Sequence, residues 1–246
     1  MKLTGNTIFI TGGGSGIGRG LAEALHARGN QVIISGRRKA LLDEVIQANP
    51  GMEAVELDIT DAAQIQAVAQ ALIARHPSLN VLINNAGVMA FDDAAGALDD
   101  AQAVRQIETN LLGPLRVSAA FVAHLKQQPE ATLINNSSVL AFLPLARSAV
   151  YCATKAAMHS YTLSQRFMLR DTSVRVLEIT PPWVDTDLLE QRGDPRAMPL
   201  KDFIDQTMEK LATATTEVIV DSVLAVRANP GPNEHEFITQ FNQAMV

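Results

Sequence analysis

The sequence predicts an α/β protein built on one doubly wound parallel sheet with helices on both faces. Two observations carry this. Short runs rich in β-branched and aliphatic residues alternate along the whole chain with longer stretches of helical periodicity. The runs are apolar at nearly every position, as strands buried on both faces must be. No Ser/Gly/Pro-rich linker or charge run divides the 246 residues, so residues 1–246 are expected to form one domain.

The strand candidates are TIFIT at 7–11, QVIIS at 31–35, AVEL at 54–57, VLIN at 81–84, ATLINNS at 131–137 and VRVLEIT at 174–180. The helix candidates lie at 17–28, 38–48, 61–75, 99–127 and 151–170. In such sheets ligands bind beyond the carboxyl ends of the strands, so chemistry is expected there. The stretch 181–199 breaks the alternation with prolines at 181, 182, 195 and 199, and is expected to act as a substrate lid over about 183–200.

Composition narrows the function classes. The net charge of −6 gives no broad basic surface, which argues against nucleic acid as a partner. The N-terminus lacks the pattern of a signal peptide and no apolar run approaches a membrane span, so a cytoplasmic protein without membrane contact is expected. The five histidines have no ligand spacing and Cys152 stands alone, so no metal and no disulfide are expected.

TGGGSGIGRG follows the first strand and opens the first helix. Gly12, Gly16 and Gly18 give the spacing G-x-x-x-G-x-G, in which missing side chains allow a tight turn and close approach of a pyrophosphate to backbone N–H groups. A Rossmann-type dinucleotide fold is the reading this supports. Tyr151 stands four residues before Lys155 in SAVYCATKAAM, so phenol and ammonium share one helix face. A free phenol titrates near about 10, too high for a base at neutrality, and a cation one turn away favours its ionised form. Either the pair packs or it moves a proton.

With NNAG at 84–87, Asn110 in the long helix and Ser138 thirteen residues before Tyr151, the chain resembles the short-chain dehydrogenase/reductase family over nearly its whole length. The resemblance implies an NADP(H)-dependent oxidoreductase that reduces ketones or aldehydes, with Asn110, Ser138, Tyr151 and Lys155 as the catalytic set. Ser138 would bind the substrate oxygen, Tyr151 would exchange its proton, Lys155 would hold the nicotinamide ribose and lower the phenol's pKa, and Asn110 would hold a water. The implied cofactor contacts are Gly12, Gly14, Ser15, Gly16, Ile17, Gly18, Arg37, Arg38, Asp58, Ile59, Asn84, Ala86, Gly87, Tyr151, Lys155, Pro181, Val184 and Thr186. An NAD-dependent alcohol dehydrogenase and a sensor without turnover are the alternatives. A sensor would most readily have lost Tyr151 or Lys155, and both are present.

NADP is expected over NAD because Gly36 stands where NAD users of the family carry Asp, and Arg37 and Arg38 follow at once. Cations at a helix start oppose its dipole, so a bound phosphate would account for them. The family's P-G-x-x-x-T reads PPWVDT here, and Pro182 in place of glycine implies a different path for the loop. VLAFLPLA after Ser138 and the loop's Trp183, Leu188 and Met198 suggest an apolar pocket, with Ser138, Leu140, Pro144, Tyr151, Trp183 and Leu188 facing a small carbonyl or alcohol substrate. The resemblance also implies a homodimer or homotetramer paired through the helices at 99–127 and 151–170. The C-terminus, NPGPNEHEFITQFNQAMV, lacks the glycine-rich strand of many relatives.

Overall fold

The structure is a computed structural model that describes residues 1–189, 193–228 and 233–245. Its sheet follows the expected order of elements. The strands are β1 (Thr7–Thr11), β2 (Gln31–Gly36), β3 (Glu53–Glu56), β4 (Leu79–Asn84), β5 (Ala131–Asn136), β6 (Val174–Thr180) and β7 (Glu217–Ile219). Among the described residues they form one parallel sheet of seven strands in the order β3-β2-β1-β4-β5-β6-β7. The order reverses direction between β1 and β4, which opens a crevice at their carboxyl ends.

The helices are α1 (Gly16–His26), α2 (Lys39–Ala48), α3 (Ala62–Arg75), α4 (Asp100–Ile107), α5 (Gly113–Leu125), α6 (Ala149–Leu169), α7 (Leu200–Thr213), α8 (Leu224–Arg227) and α9 (Glu234–Ala244). Successive strand residues face opposite sides, and the core splits accordingly. Ile8, Ile10, Val32 and Ile34 pack in one cluster with Leu21 of α1 and Phe203 of α7. Phe9, Ile33 and Leu82 pack in the other with Ile65 of α3 and Phe121 of α5. The central strands β1, β2, β4 and β5 are therefore buried along nearly their whole length, while the edge strand β3 is only half-buried.

The long helix expected at 99–127 runs from α4 into α5 through a π-helical segment, Glu108–Leu112. Pro114 explains the break, because it offers no N–H to the carbonyl of Asn110 four residues back. Four elements, β7, α7, α8 and α9, lay outside the sequence reading. β7 has only three residues and α7 and α9 follow the proline-rich stretch, so no run was long enough to announce the strand. No described helix is long and apolar enough to cross a membrane.

Candidate active site

A cavity of about 800 Å³ occupies the crevice at the carboxyl ends of β1, β4, β5 and β6. Its floor at one end is the glycine turn. Gly12 and Gly16 have φ of +69° and +52°, a region open to glycine. Packing demands glycine as well: a Cβ on Gly18 would stand 2.2 Å from the Gly12 carbonyl oxygen, and one on Gly12 2.8 Å from Ala86 Cα. Ser15 caps α1 without a side-chain bond to the helix amides, and the first turn carries no acidic residue, so those amides remain for an anion. Gly14, Ile17 and Gly18 line the cavity beside them, and Thr186 closes the turn from above, 3.4 Å from where a Cβ on Gly16 would sit.

At the end of β2, Gly36, Arg37 and Arg38 line the cavity. Gly36 has ordinary φ, and a Cβ there would meet only Leu42, at 3.7 Å, so nothing in the fold requires glycine. Arg38 donates to the Ser15 hydroxyl at 3.2 Å. Arg37 has no partner among the described residues, whereas Lys39 is held by Asp43 at 2.6 Å. Asp58 accepts from the N–H and hydroxyl of Thr60, both at 2.9 Å, and borders the cavity with Ile59.

The segment after β4 differs from the sequence reading by one residue. Asn85, not Asn84, faces the cavity with Ala86 and Gly87. Asn84 is turned into the core, donating to Ser118 Oγ at 2.8 Å and Asn135 Oδ1 at 2.9 Å, because neighbouring strand residues project to opposite faces. The Asn85 side chain donates to the carbonyls of Thr11 and Gly12 and accepts from Asn136, tying β1, β4 and β5 together at the crevice.

Ser138 lies two residues beyond β5, and its hydroxyl accepts from Leu140 N–H at 3.1 Å and pairs with the Tyr151 hydroxyl. Lys155 Nζ lies 5.6 Å from the Tyr151 ring centre and donates to the Asn136 carbonyl at 2.9 Å. Burial pushes the Tyr151 phenol well above its ordinary value, with the Ser138 hydrogen bond opposing. Sequence spacing had implied a lowered phenol pKa. Desolvation outweighs it here, since both groups are buried and the ammonium itself titrates down to about 8.

Asn110 is buried and lies behind the cavity lining. Its amide accepts from Val88 N–H and donates to the Val88 carbonyl, both at 2.8 Å, and donates to Thr154 on α6 at 3.2 Å. It therefore braces the segment after β4 against the turn of α6 that carries Lys155.

After β6, the Pro181 carbonyl accepts from Val139 N–H at 2.8 Å, and Val184 pairs with Met198 as an isolated bridge. The loop thus leaves the sheet over the cavity, with Pro181, Pro182, Trp183, Val184, Thr186 and Leu188 in the wall. Residues 190–192 of the expected lid lie outside those described. Met198 packs against the core instead. Pro144 also turns away: its carbonyl accepts from Asn242 at 3.0 Å, while Leu145 and Leu140 border the cavity.

Several wall residues went unread in the sequence. Phe241 and Met245 of the C-terminal segment enter the cavity and pack against Leu145, Tyr151 and Cys152. Asn242 fixes them there by accepting from Ala146 N–H at 2.6 Å. The four-residue spacing of Phe237, Phe241 and Met245 was the available signal. Arg105, Arg147 and Arg196 also reach the cavity, which makes its wall less apolar than the sequence suggested. Outside it, His159, Glu178 and Glu217 bring ligand atoms within 4.8 Å of one another, though no histidine spacing foretold it. His159 bonds Glu178 at 2.9 Å and Arg227 holds Glu217 at 3.0 Å, so these groups satisfy each other.

The short chain dehydrogenase family profile matches residues 6–197, and the chain belongs to this family of oxidoreductases. It is 40% identical over 233 residues to an uncharacterized oxidoreductase, DltE, of Bacillus subtilis, covering 92% of each chain. A short chain dehydrogenase from Burkholderia cenocepacia in complex with NADP superposes with a TM-score of 0.80 at 29% identity, covering 100% of this chain and 97% of that one. A 3-ketoacyl-(acyl-carrier-protein) reductase from Brucella melitensis complexed with NADH gives 0.81 at 25% identity, covering 89% and 98%. Relatives of this fold therefore carry either nicotinamide cofactor.

Proposed function

We propose that this protein is an NADPH-dependent carbonyl reductase that interconverts ketones or aldehydes and alcohols. The observation that carries the reading is the buried Ser138–Tyr151–Lys155 constellation beside an open glycine cradle in one cavity. The residues present fit a dinucleotide. The glycines of the cradle present no side chain to obstruct a pyrophosphate, and Arg37 stands at the adenosine end without a partner among the described residues. When bound, the cofactor supplies the hydride.

Ser138 and Tyr151 donate hydrogen bonds to the substrate oxygen, and Tyr151 passes its proton to that oxygen as negative charge develops. A phenol held protonated by burial suits the donor role in reduction. Lys155, carried one turn beyond Tyr151, stabilises the phenolate left behind and offers its remaining donors to the nicotinamide ribose. Asn110 keeps the two elements bearing Val88 and Thr154 in register, so that this geometry is preformed. Arg37, backed by Arg38, would pair with a 2′-phosphate, and the absent carboxylate at position 36 leaves nothing to repel it.

The apolar wall of Leu140, Leu145, Trp183 and Leu188 would take the carbon skeleton, with the segment after β6 acting as a lid over one domain of residues 1–246. Exposed Val104 and Ile107 on α4, with Leu163, Phe167 and Met168 on α6, support a homodimer through these helices. A cytoplasmic location accords with the demand for NADPH. The test is NADPH oxidation by the purified protein across ketones and aldehydes, with Tyr151→Phe as control. Failure of every carbonyl compound to oxidise NADPH would reject the reading.

A further inference from the structure

The chain carries a net charge of −6, yet six cationic and two acidic side chains border the cavity among the described residues. Four of the cations are accounted for. Arg37 and Arg38 stand at the adenosine end, Lys155 stands beside Tyr151, and Arg196 is held by Asp194 at 2.8 Å. Arg105 and Arg147 remain, and neither has a carboxylate partner among the described residues. The acidic groups nearest in sequence to Phe91 are engaged elsewhere. Asp92 accepts from Ala149 and Val150 N–H, both at 2.9 Å, and Asp93 from Ala95 N–H at 2.9 Å.

Both arginines border the segment after β4. The Arg147 guanidinium lies 4.5 Å from the centre of the Phe91 ring, a flat support that orients it. Arg105 is next to Gln106, whose side chain accepts from Ala90 N–H at 3.2 Å. Arg147 lies in the short turn 146–148 just before α6 and borders the same cavity as Tyr151. A guanidinium bordering the cavity that holds the proton donor can meet a second group on the same small substrate. Two unpaired forks beside an apolar wall match a planar carboxylate.

We propose that the carbonyl substrate is an oxoacid whose carboxylate is held by Arg147, with Arg105 as second contact. This rests on the carbonyl reductase reading and names its substrate class. It also revises the expectation of an uncharged apolar substrate, since the apolar wall then takes only the chain between the two polar ends.

Trp183 is the single tryptophan of the sequence and lines the cavity, so binding is readable by its fluorescence without turnover. The probes are 3-oxobutanoate and 4-oxopentanoate, each against its methyl ester, added to protein saturated with NADP. The expected result is at least tenfold tighter binding of the acids. In Arg147→Ala the ester-to-acid ratio of Kd should fall about tenfold, in Arg147→Lys less, and in Arg105→Ala by a smaller factor. Steady-state kcat/KM for each acid and ester should show the same ratios. Equal affinity for acid and ester, or a ratio unmoved in Arg147→Ala, would overturn the proposal. Reduction of esters and acids alike would overturn it while leaving the carbonyl reductase reading intact. Tighter binding of acids without NADPH oxidation would uphold the anion site and count against that reading.

Discussion

The two ends of the cavity are built in opposite ways. At the adenosine end, Gly12 to Gly18, Arg37 and Asp58 come from three consecutive strand ends within the first 60 residues. The work there falls to the main chain, where glycines keep side chains out and a helix start presents amides. At the other end, the wall joins Phe91 and Arg105 with Leu140, Leu145 and Arg147, with Trp183, Val184 and Leu188, and with Phe241 and Met245. These come from separate parts of the chain, and side chains on loops and a terminal helix form the surface. A site of backbone geometry is constrained by packing, since a Cβ on Gly18 would strike the Gly12 carbonyl. A wall of side chains on loops accepts substitution without disturbing the sheet. The difference predicts that changes at one end leave the other's binding intact.

The largest effect should come from the point where the ends meet. Tyr151→Phe should lower kcat by about 10²–10⁴, the usual worth of general acid–base catalysis, while NADPH binding is retained. Cofactor titration alongside stopped-flow turnover checks both halves; a mutant with wild-type kcat would remove Tyr151 from the proton transfer.

A second comparison breaks the adenosine end alone. Because a side chain fits at position 36, Gly36→Asp with Arg37→Ala should lower the NADPH-over-NADH ratio of kcat/KM by about 10–100-fold, the worth of a charge-assisted hydrogen bond. The KM of the carbonyl substrate should stay put. A double mutant that kept its NADPH preference would mean that neither residue reads the phosphate.

The pH profile tests the centre again. Burial lowers the Lys155 ammonium to about 8, so its charge is present below that pH and lost as pH rises through it. The kcat/KM for NADPH reports the free enzyme and should be flat below pH 7, then fall roughly tenfold per unit above about 8. A flat profile to pH 10 would mean that the lysine stays charged or plays no part.

The smallest effect belongs to the terminal helix. Phe241→Ala should raise the KM of the carbonyl substrate about fivefold, equivalent to about 1 kcal/mol, and leave the Kd of NADPH unchanged. Calorimetry of cofactor binding beside substrate kinetics separates the two; an equal loss of cofactor affinity would show that α9 supports the whole cavity.

The sequence by itself determined six of the seven strands, because strands buried between two helical layers are largely apolar and the helices between them are periodic. It also determined which short stretches meet at the carboxyl edge, since the turn after β1 and the pair of Tyr151 and Lys155 are local patterns within one turn of helix. Tertiary structure decided what spacing cannot express. Which of Asn84 and Asn85 faces the crevice depends on strand phase at its last residue, and that phase is set by pairing with β1 and β5. Whether the phenol's pKa rises or falls depends on burial against one nearby charge, a balance that exists only after the core closes. Arg105 and Phe241 became neighbours of the site only by long-range packing, because residues more than 130 positions apart in sequence carry no local signal of their meeting.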